Sequence, residues 1–409
     1  MEFRLQAESL VCESFRLKAE LQTFSLFLRE RGATQMIRIR FIKSLMAVAL
    51  GAWLLGLAAQ SSGQSTDEYW PTGEWRTAKA KKQGLQRSIL KPLINRMRRN
   101  EIRDLNSLLI VRNGYLVVEE YFNGSGPDDV HTLQSDSKSI TSLLVGIAMQ
   151  QGKLTSVAEP TLAFFPEYRR IKNLDERKAA LTVQDLLTMR TGLDWSEANY
   201  NGSPLQRLND CGCDWLRFVL DWPMREMPGE SFEYNSGGVI LLGGIIRSVA
   251  GTSVDRFAQE NLFSPLGITT AWWVQGLPEG LPHTGGGLNL RAKDMAKIGY
   301  LVLRGGRWQD RQIVSEAWLR ESMQHWVRRP RTFAGHAVDY GYLWWLLPLD
   351  GVGLEQGDAA DIYTASGARD QWIFIIPKYD MVVVVTGNTS STFAQPVDFL
   401  YTDILRAVQ

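Results

Sequence analysis

The stretch that decides the fold runs Ser135-Asp136-Ser137-Lys138-Ser139-Ile140-Thr141-Ser142-Leu143-Leu144-Val145-Gly146-Ile147-Ala148. Its apolar residues Ile140, Leu143, Leu144, Ile147 and Ala148 recur at helical spacing, and Gly152 stands where a C-terminal cap belongs. The spacing predicts a buried helix that begins near Ser135. On such a helix, residues three apart share a face, so the Ser135 and Lys138 side chains can meet. A lysine on a buried face is partly desolvated, which favours its neutral, base-competent form. A neutral amine can take the proton of a hydroxyl and create a nucleophile. The first turn also offers free N–H groups and the positive end of the helix dipole, which suit a developing oxyanion.

Upstream, Leu108–Val111 and Tyr115–Tyr121 read as strands joined by the hairpin signal Asn113-Gly114. A basic amphipathic helix is expected over about residues 86–103, and a polar loop over Asn123–Asp129. From Pro160 to about Arg329 the text is mostly helical. Its clearest helices are Val183–Met189, Trp215–Leu220, Val239–Val249, Val254–Leu262 and Ala292–Leu303. Strand character returns at Gly341–Leu347, Ile362–Ser366, Trp372–Ile376 and Met381–Thr386, with a turn at Pro377–Asp380. A closing helix is expected over about Pro396–Val408. Strands at both ends and helices between them predict an α+β fold. Its core is one antiparallel sheet flanked by helices, with a mostly helical region inserted over about residues 160–330. The domain so defined spans residues 104–409, preceded by a segment and helix over 64–103.

Ser-x-x-Lys alone is a weak pattern, and the chain carries a decoy in Ser88-Ile89-Leu90-Lys91. The decoy precedes Pro92 and leads into a polar, basic stretch, whereas Ser135 follows a hairpin and opens an apolar helix. A second motif, Tyr234-Asn235-Ser236, follows the turn Pro228-Gly229 and opens another apolar helix. A tyrosine held near a lysine can carry a proton between an attacking hydroxyl and a leaving group. A third lies where the strand Ile362–Ser366 ends at Gly367. It reads as an edge strand lining a substrate cleft, where Gly367 permits close backbone approach. The backbone N–H groups of Ala368 and Ser135 would then form an oxyanion hole.

Together, Ser135-x-x-Lys138, Tyr234-Asn235-Ser236 and Ala365-Ser366-Gly367 resemble the serine β-lactamase and penicillin-binding-protein superfamily. The class C-like branch, with its esterases, D-aminopeptidases and 6-aminohexanoate-dimer hydrolases, is the nearer resemblance. Leu186-Leu187-Thr188-Met189, Thr191-Gly192-Leu193-Asp194-Trp195 and Tyr340-Gly341-Tyr342-x-Trp344-Trp345 also look like that branch. The resemblance implies a serine hydrolase that cleaves an ester or amide through an acyl-enzyme on Ser135, without a cofactor. The alternatives are a β-lactamase or D,D-peptidase, and a catalytically silent cell-wall or penicillin-binding protein. Substrate-binding roles fall to Asn235, Ser236, Ser366 and Gly367. Two departures matter. Ser236 fills a place usually held by Asn; its hydroxyl is expected to reach Lys138, with Asn235 as the substitute. Ala365 stands where β-lactam-handling members carry Lys or His, a cation for a carboxylate. Arg369 is either its replacement or a plain surface charge.

The rest of the chain narrows the partners. A formal net charge of +1 over 409 residues offers no basic stripe for nucleic acid. There is no Gly-x-Ser-x-Gly elbow and no His-Glu-x-x-His. His131, His283, His325 and His336 are scattered, so no metal site is expected and His131 reads as structural. Gly285-Gly286-Gly287 reads as a turn near the cleft, and Cys211 and Cys213 as a local loop staple. Most tryptophans are expected in the core, some on the wall of a cleft. The substrate is expected to be a small or peptide-like ester or amide. Near the N-terminus, Arg38, Arg40 and Lys43 precede the apolar run Leu45–Ala59. Charge, a short apolar core and small residues after it describe a signal peptide over residues 36–63. Met36 is then the expected start, residues 1–35 a non-native upstream extension, and the mature chain periplasmic or extracellular. A membrane anchor is the alternative if the segment is retained.

Overall fold

The hairpin signal folds as predicted. Asn113 and Gly114 both take positive φ, 52° and 74°, the geometry that a tight two-residue turn demands. They join β1 (Leu105–Arg112) to β2 (Tyr115–Tyr121). The computed structural model describes residues 69–349, 362–389 and 395–409. The upstream extension and the signal segment lie outside the described residues, as does the part of the N-terminal segment before residue 69.

The C-terminal strands are β8 (Val327–Phe333), β9 (His336–Tyr340), β10 (Trp345–Leu347), β11 (Ile362–Gly367), β12 (Gln371–Ile376) and β13 (Met381–Gly387). With β1 and β2 they form one eight-stranded sheet in the order β2-β1-β13-β12-β11-β10-β9-β8. Neighbours pair antiparallel throughout. Ile110 of β1 faces Val383 of β13, so strands from near both ends of the described residues pair inside the sheet, one strand in from its β2 edge. All residues of β12 and β13 are buried, which requires cover on both faces.

The predicted antiparallel sheet with helical flanks is therefore present, with three corrections. The strand expected over Gly341–Leu347 begins only at Trp345, because residues 341–344 form a turn in which the Gly341 N–H donates to the Trp344 carbonyl at 2.8 Å. β8 and β9 were not expected, since Val327-Arg328-Arg329-Pro330-Arg331 carries charge and proline rather than alternating apolar residues. They extend the sheet beyond β10, so β11 is an interior strand and not an edge. The region between Pro160 and Arg329 is also less purely helical than expected. It contains β4 (Trp272–Trp273) and β5 (Leu288–Arg291), which pair with β3 (Val130–Thr132) in a small sheet. It also holds a two-stranded ribbon of β6 (Arg307–Trp308) and β7 (Arg311–Gln312).

Seven helices matter here. They are α1 (Arg87–Arg98), α2 (Asp136–Gln150), α3 (Val183–Leu187), α4 (Trp215–Leu220), α5 (Ser236–Ala250), α6 (Ala292–Leu303) and α7 (Glu316–Ser322). Every residue of α2 from Asp136 to Ala148 is buried. The helix sits between β11 of the sheet on one side and α5 on the other. Such all-round burial explains a sequence that is apolar or small on every face. α6 packs on the sheet itself, with Gly299 against Val382 and Ile373.

Candidate active site

The first turn of α2 carries the reactive pair. Ser135 is the half-buried N-cap, and Lys138 is 1% exposed. The Lys138 amine donates to Ser135 Oγ at 3.1 Å and to the Gly285 carbonyl at 2.5 Å. The turn Gly285-Gly286-Gly287 thus supplies the second anchor of the lysine. Ser137 and Thr141 fasten the same contact: Ser137 Oγ accepts the Leu288 N–H at 3.1 Å, and Thr141 Oγ1 donates to the Thr284 carbonyl at 2.9 Å. By contrast, the decoy pair Ser88 and Lys91 is exposed on α1.

Tyr234 joins this pair from the residue just before the cap of α5. The Lys138 amine lies 4.8 Å from its ring centroid. The ring stacks on Trp345 of β10, 6.1 Å between centroids and 16° between planes. Trp345 also packs edge-on against Tyr340 and Phe333, so the shelf under Tyr234 is rigid. Of the tryptophans expected to line a cleft, Trp345 is the one that touches Tyr234.

The two residues after Tyr234 do not reach Lys138. Asn235 caps α5: its Oδ1 accepts the Gly238 N–H at 2.9 Å, and its Nδ2 donates to Thr191 Oγ1 at 3.1 Å. Ser236 Oγ donates to Glu197 Oε2 at 2.9 Å, and the Ser236 N–H donates to Oε1 at 2.6 Å. The expected hydrogen bond from Ser236 to Lys138 is therefore absent, and the Gly285 carbonyl takes its place. Glu197 escaped the sequence reading. It also accepts the Trp195 Nε1–H at 2.7 Å, so one carboxylate ties a loop to the N-terminus of α5. Nothing local marks it, because its partner lies 39 positions away.

The third motif ends beside the first. A β-carbon at Gly367 would collide with the Leu133 carbonyl and stand 3.2 Å from Gln134 Cβ, so the backbone there runs against the segment that delivers Ser135. Ala368 follows, half-buried. Ala365 is fully buried and Ser366 is 6% exposed. Arg369 points elsewhere: it is exposed on the β11–β12 turn and donates to Asn388 Oδ1 at 3.3 Å. Cys211 and Cys213 are joined in a disulfide, as the staple reading expected.

Burial shapes the titrations around the site. It pushes the Asp136 carboxyl well above the usual carboxylate range, against the pull of the Lys138 charge. Both Asp136 oxygens lack a hydrogen-bond partner. Burial also holds the His283 imidazole down to about 4, with the Lys138 charge adding to the shift. His131 lies on β3 and is lowered by burial as well.

A family model described as Beta-lactamase matches residues 98–405. The chain belongs to the β-lactamase family. Within it the architecture is that of the class C-like serine hydrolases and penicillin-binding proteins, and membership makes this β-lactamase-family chain a hydrolase. It is 24% identical to the 6-aminohexanoate-dimer hydrolase of Paenarthrobacter ureafaciens over 295 residues, 68% of this chain and 71% of that protein. Protein flp of Staphylococcus aureus (strain COL) is 25% identical over 173 residues, 40% of this chain and 33% of that protein. In structure it is similar to EstCE1, a hydrolase with promiscuous acyltransferase activity, at a TM-score of 0.64. There the identity is 17%, with 78% of this chain and 98% of that one covered. The octameric penicillin-binding protein homologue from Pyrococcus abyssi gives a TM-score of 0.60 at 21% identity, with 79% and 77% covered.

Proposed function

We propose that this hydrolase cleaves a small ester or amide through an acyl-enzyme on Ser135. The observation that carries the reading is the 3.1 Å hydrogen bond between Lys138 Nζ and Ser135 Oγ, with the Tyr234 ring 4.8 Å from the same amine. Lys138, acting with Tyr234, takes the hydroxyl proton as Ser135 Oγ bonds to the substrate carbonyl carbon. The carbonyl π electrons move onto oxygen, and the N–H groups of Ser135 and Ala368 hold that oxyanion. The C–O or C–N bond then breaks, and Tyr234 protonates the departing alcohol or amine. Water attacks the acyl-enzyme with the same groups in reverse, which returns the proton to Ser135. No step requires a cofactor. Asn235 and Ser236 position Tyr234 by fixing the start of α5, and Gly367 lets the backbone before Ala368 approach Ser135.

Ser135→Ala is expected to lower kcat/KM for p-nitrophenyl acetate by roughly 10⁴ or more, the scale seen when a nucleophile is removed. A fluorophosphonate probe should label the native chain at Ser135 and leave Ser135→Ala unlabelled. Retained turnover, or labelling at another residue, refutes the assignment. The reading also includes export, motivated by Arg38, Arg40 and Lys43 ahead of Leu45–Ala59. N-terminal sequencing of the mature protein should begin after the apolar run; a terminus at Met1 refutes it.

A further inference from the structure

The strand β8 carries a two-residue bulge. Val327 pairs with Tyr340 and Arg331 with Val338, so four steps on β8 match two on β9. The two extra residues fall within Arg328-Arg329-Pro330, which stands opposite Asp339 alone, and Arg329 sits at φ 50°. A single carboxylate, Asp339 on β9, holds this bulge. It accepts the Arg329 N–H at 2.7 Å, pairs with Arg328 at 3.0 Å and bonds His325 Nδ1 at 2.7 Å. Bulges are common beside active sites, and this one leads directly into Arg331. Its guanidinium lies 5.2 Å from the Tyr234 ring centroid and 5.5 Å from that of Trp345. Arg331 is exposed and has no acidic partner among the described residues, whereas Arg328 beside it does. A guanidinium braced on two aromatic faces, with its donors open to solvent, is ready for a planar anion.

We propose that Arg331 is the specificity residue of this site and that the substrate is an ester or amide bearing a carboxylate. The inference rests on the reading of Ser135 as nucleophile, and it gives that reading a substrate class. The charge comes from β8 at the far edge of the sheet and not from position 365, where Ala365 is fully buried. The bound carboxylate would therefore lie over Tyr234, on the side of the ring that faces the sheet edge.

Two pairs of esters test this. Mono-p-nitrophenyl glutarate against p-nitrophenyl butyrate puts the charge on the acyl side. 4-Carboxyphenyl acetate against phenyl acetate puts it on the leaving group. In the native chain the charged member of at least one pair should have the higher kcat/KM, through a lower KM. Arg331→Ala should cut that preference roughly 10- to 100-fold, the worth of one charge-assisted hydrogen bond, and Arg331→Lys should restore part of it. An unchanged preference in Arg331→Ala, or no preference in the native chain, overturns the inference. Binding provides an independent arm. Saturation-transfer NMR should detect adipate on the native chain and lose it with Arg331→Ala; equal transfer to both, or none to the native chain, overturns the inference. If none of the four esters turns over while adipate binds through Arg331, the nucleophile reading fails, and with it the ester or amide substrate, and only Arg331 as a carboxylate-binding residue stands.

Discussion

His283 shows how one side chain can bind the stability of the fold to the electrostatics of the site. It is 8% exposed, its Nδ1 has no partner, and its ring meets Trp215 edge-on at 5.3 Å. Burial, then the nearby Lys138 charge, lowers its titration to about 4 from an ordinary 6.5. Between those values the unfolded chain takes up a proton that the folded chain refuses. Stability therefore falls as pH drops through that window, by about 3 kcal/mol at its acidic end. His283→Leu should flatten this part of the profile, because it removes the group that must be desolvated. Urea unfolding at pH 7 and pH 4.5 measures it, and an equally steep loss in the variant would sink the account. Asp136 runs the other way. Its folded titration is raised by burial, so the folded chain keeps a proton that the unfolded chain gives up above the ordinary carboxylate value. That term costs stability as pH rises, and Asp136→Asn should raise Tm at pH 8 more than at pH 4.

At the level of elements, α5 transmits structure to chemistry through its cap. Asn235 closes the first turn and holds Thr191, while Glu197 grips Ser236 from the same side. Tyr234 is the next residue outward, so the cap fixes its backbone while Trp345 braces its ring. Asn235→Ala is expected to cost about 1–2 kcal/mol of stability and to lower kcat for p-nitrophenyl acetate more than it raises KM. A variant with wild-type kcat would show that the cap does not position Tyr234. These couplings mark where the sequence stopped being legible. Ser135 and Lys138 were readable because both sit on one helix, where spacing alone makes them neighbours. The order of Tyr234 and Gly367 along the chain was readable through the family pattern, and helix α4 was read at its observed bounds. Gly285 as the carbonyl partner of Lys138, and Glu197 as the partner of Ser236, were not readable. Both contacts join distant segments, and neither residue type is unusual in a loop. β8 stayed hidden because the bulge at Arg328-Arg329-Pro330 breaks its two-residue period, and β9 because it is only five residues long.

Across the whole molecule, α2 is the shared wall. Its buried length packs on β11 and on α5, so the sheet and the helical region cannot part without exposing it. The sheet in turn pairs β1 near the start of the described chain with β13 near its end, Leu105 opposite Gly387. Neither half owns a complete core. Tyr69–Gln409 clusters as one compact unit in agreement with this. Unfolding is therefore expected to be a single transition. Tryptophans report on both regions: Trp195 and Trp215 lie in the helical part, Trp345 and Trp372 in the sheet. Leu144 of α2 is fully buried between them, and Leu144→Ala should cost about 2–5 kcal/mol. The lowered midpoint should be the same by tryptophan fluorescence and by far-UV circular dichroism. If the two signals separate in the variant, the sheet and the helical region hold independent cores. Lys138 and Tyr234, which belong to α2 and to the start of α5, would then owe their meeting to the local turn at Gly285 and not to the fold as a whole.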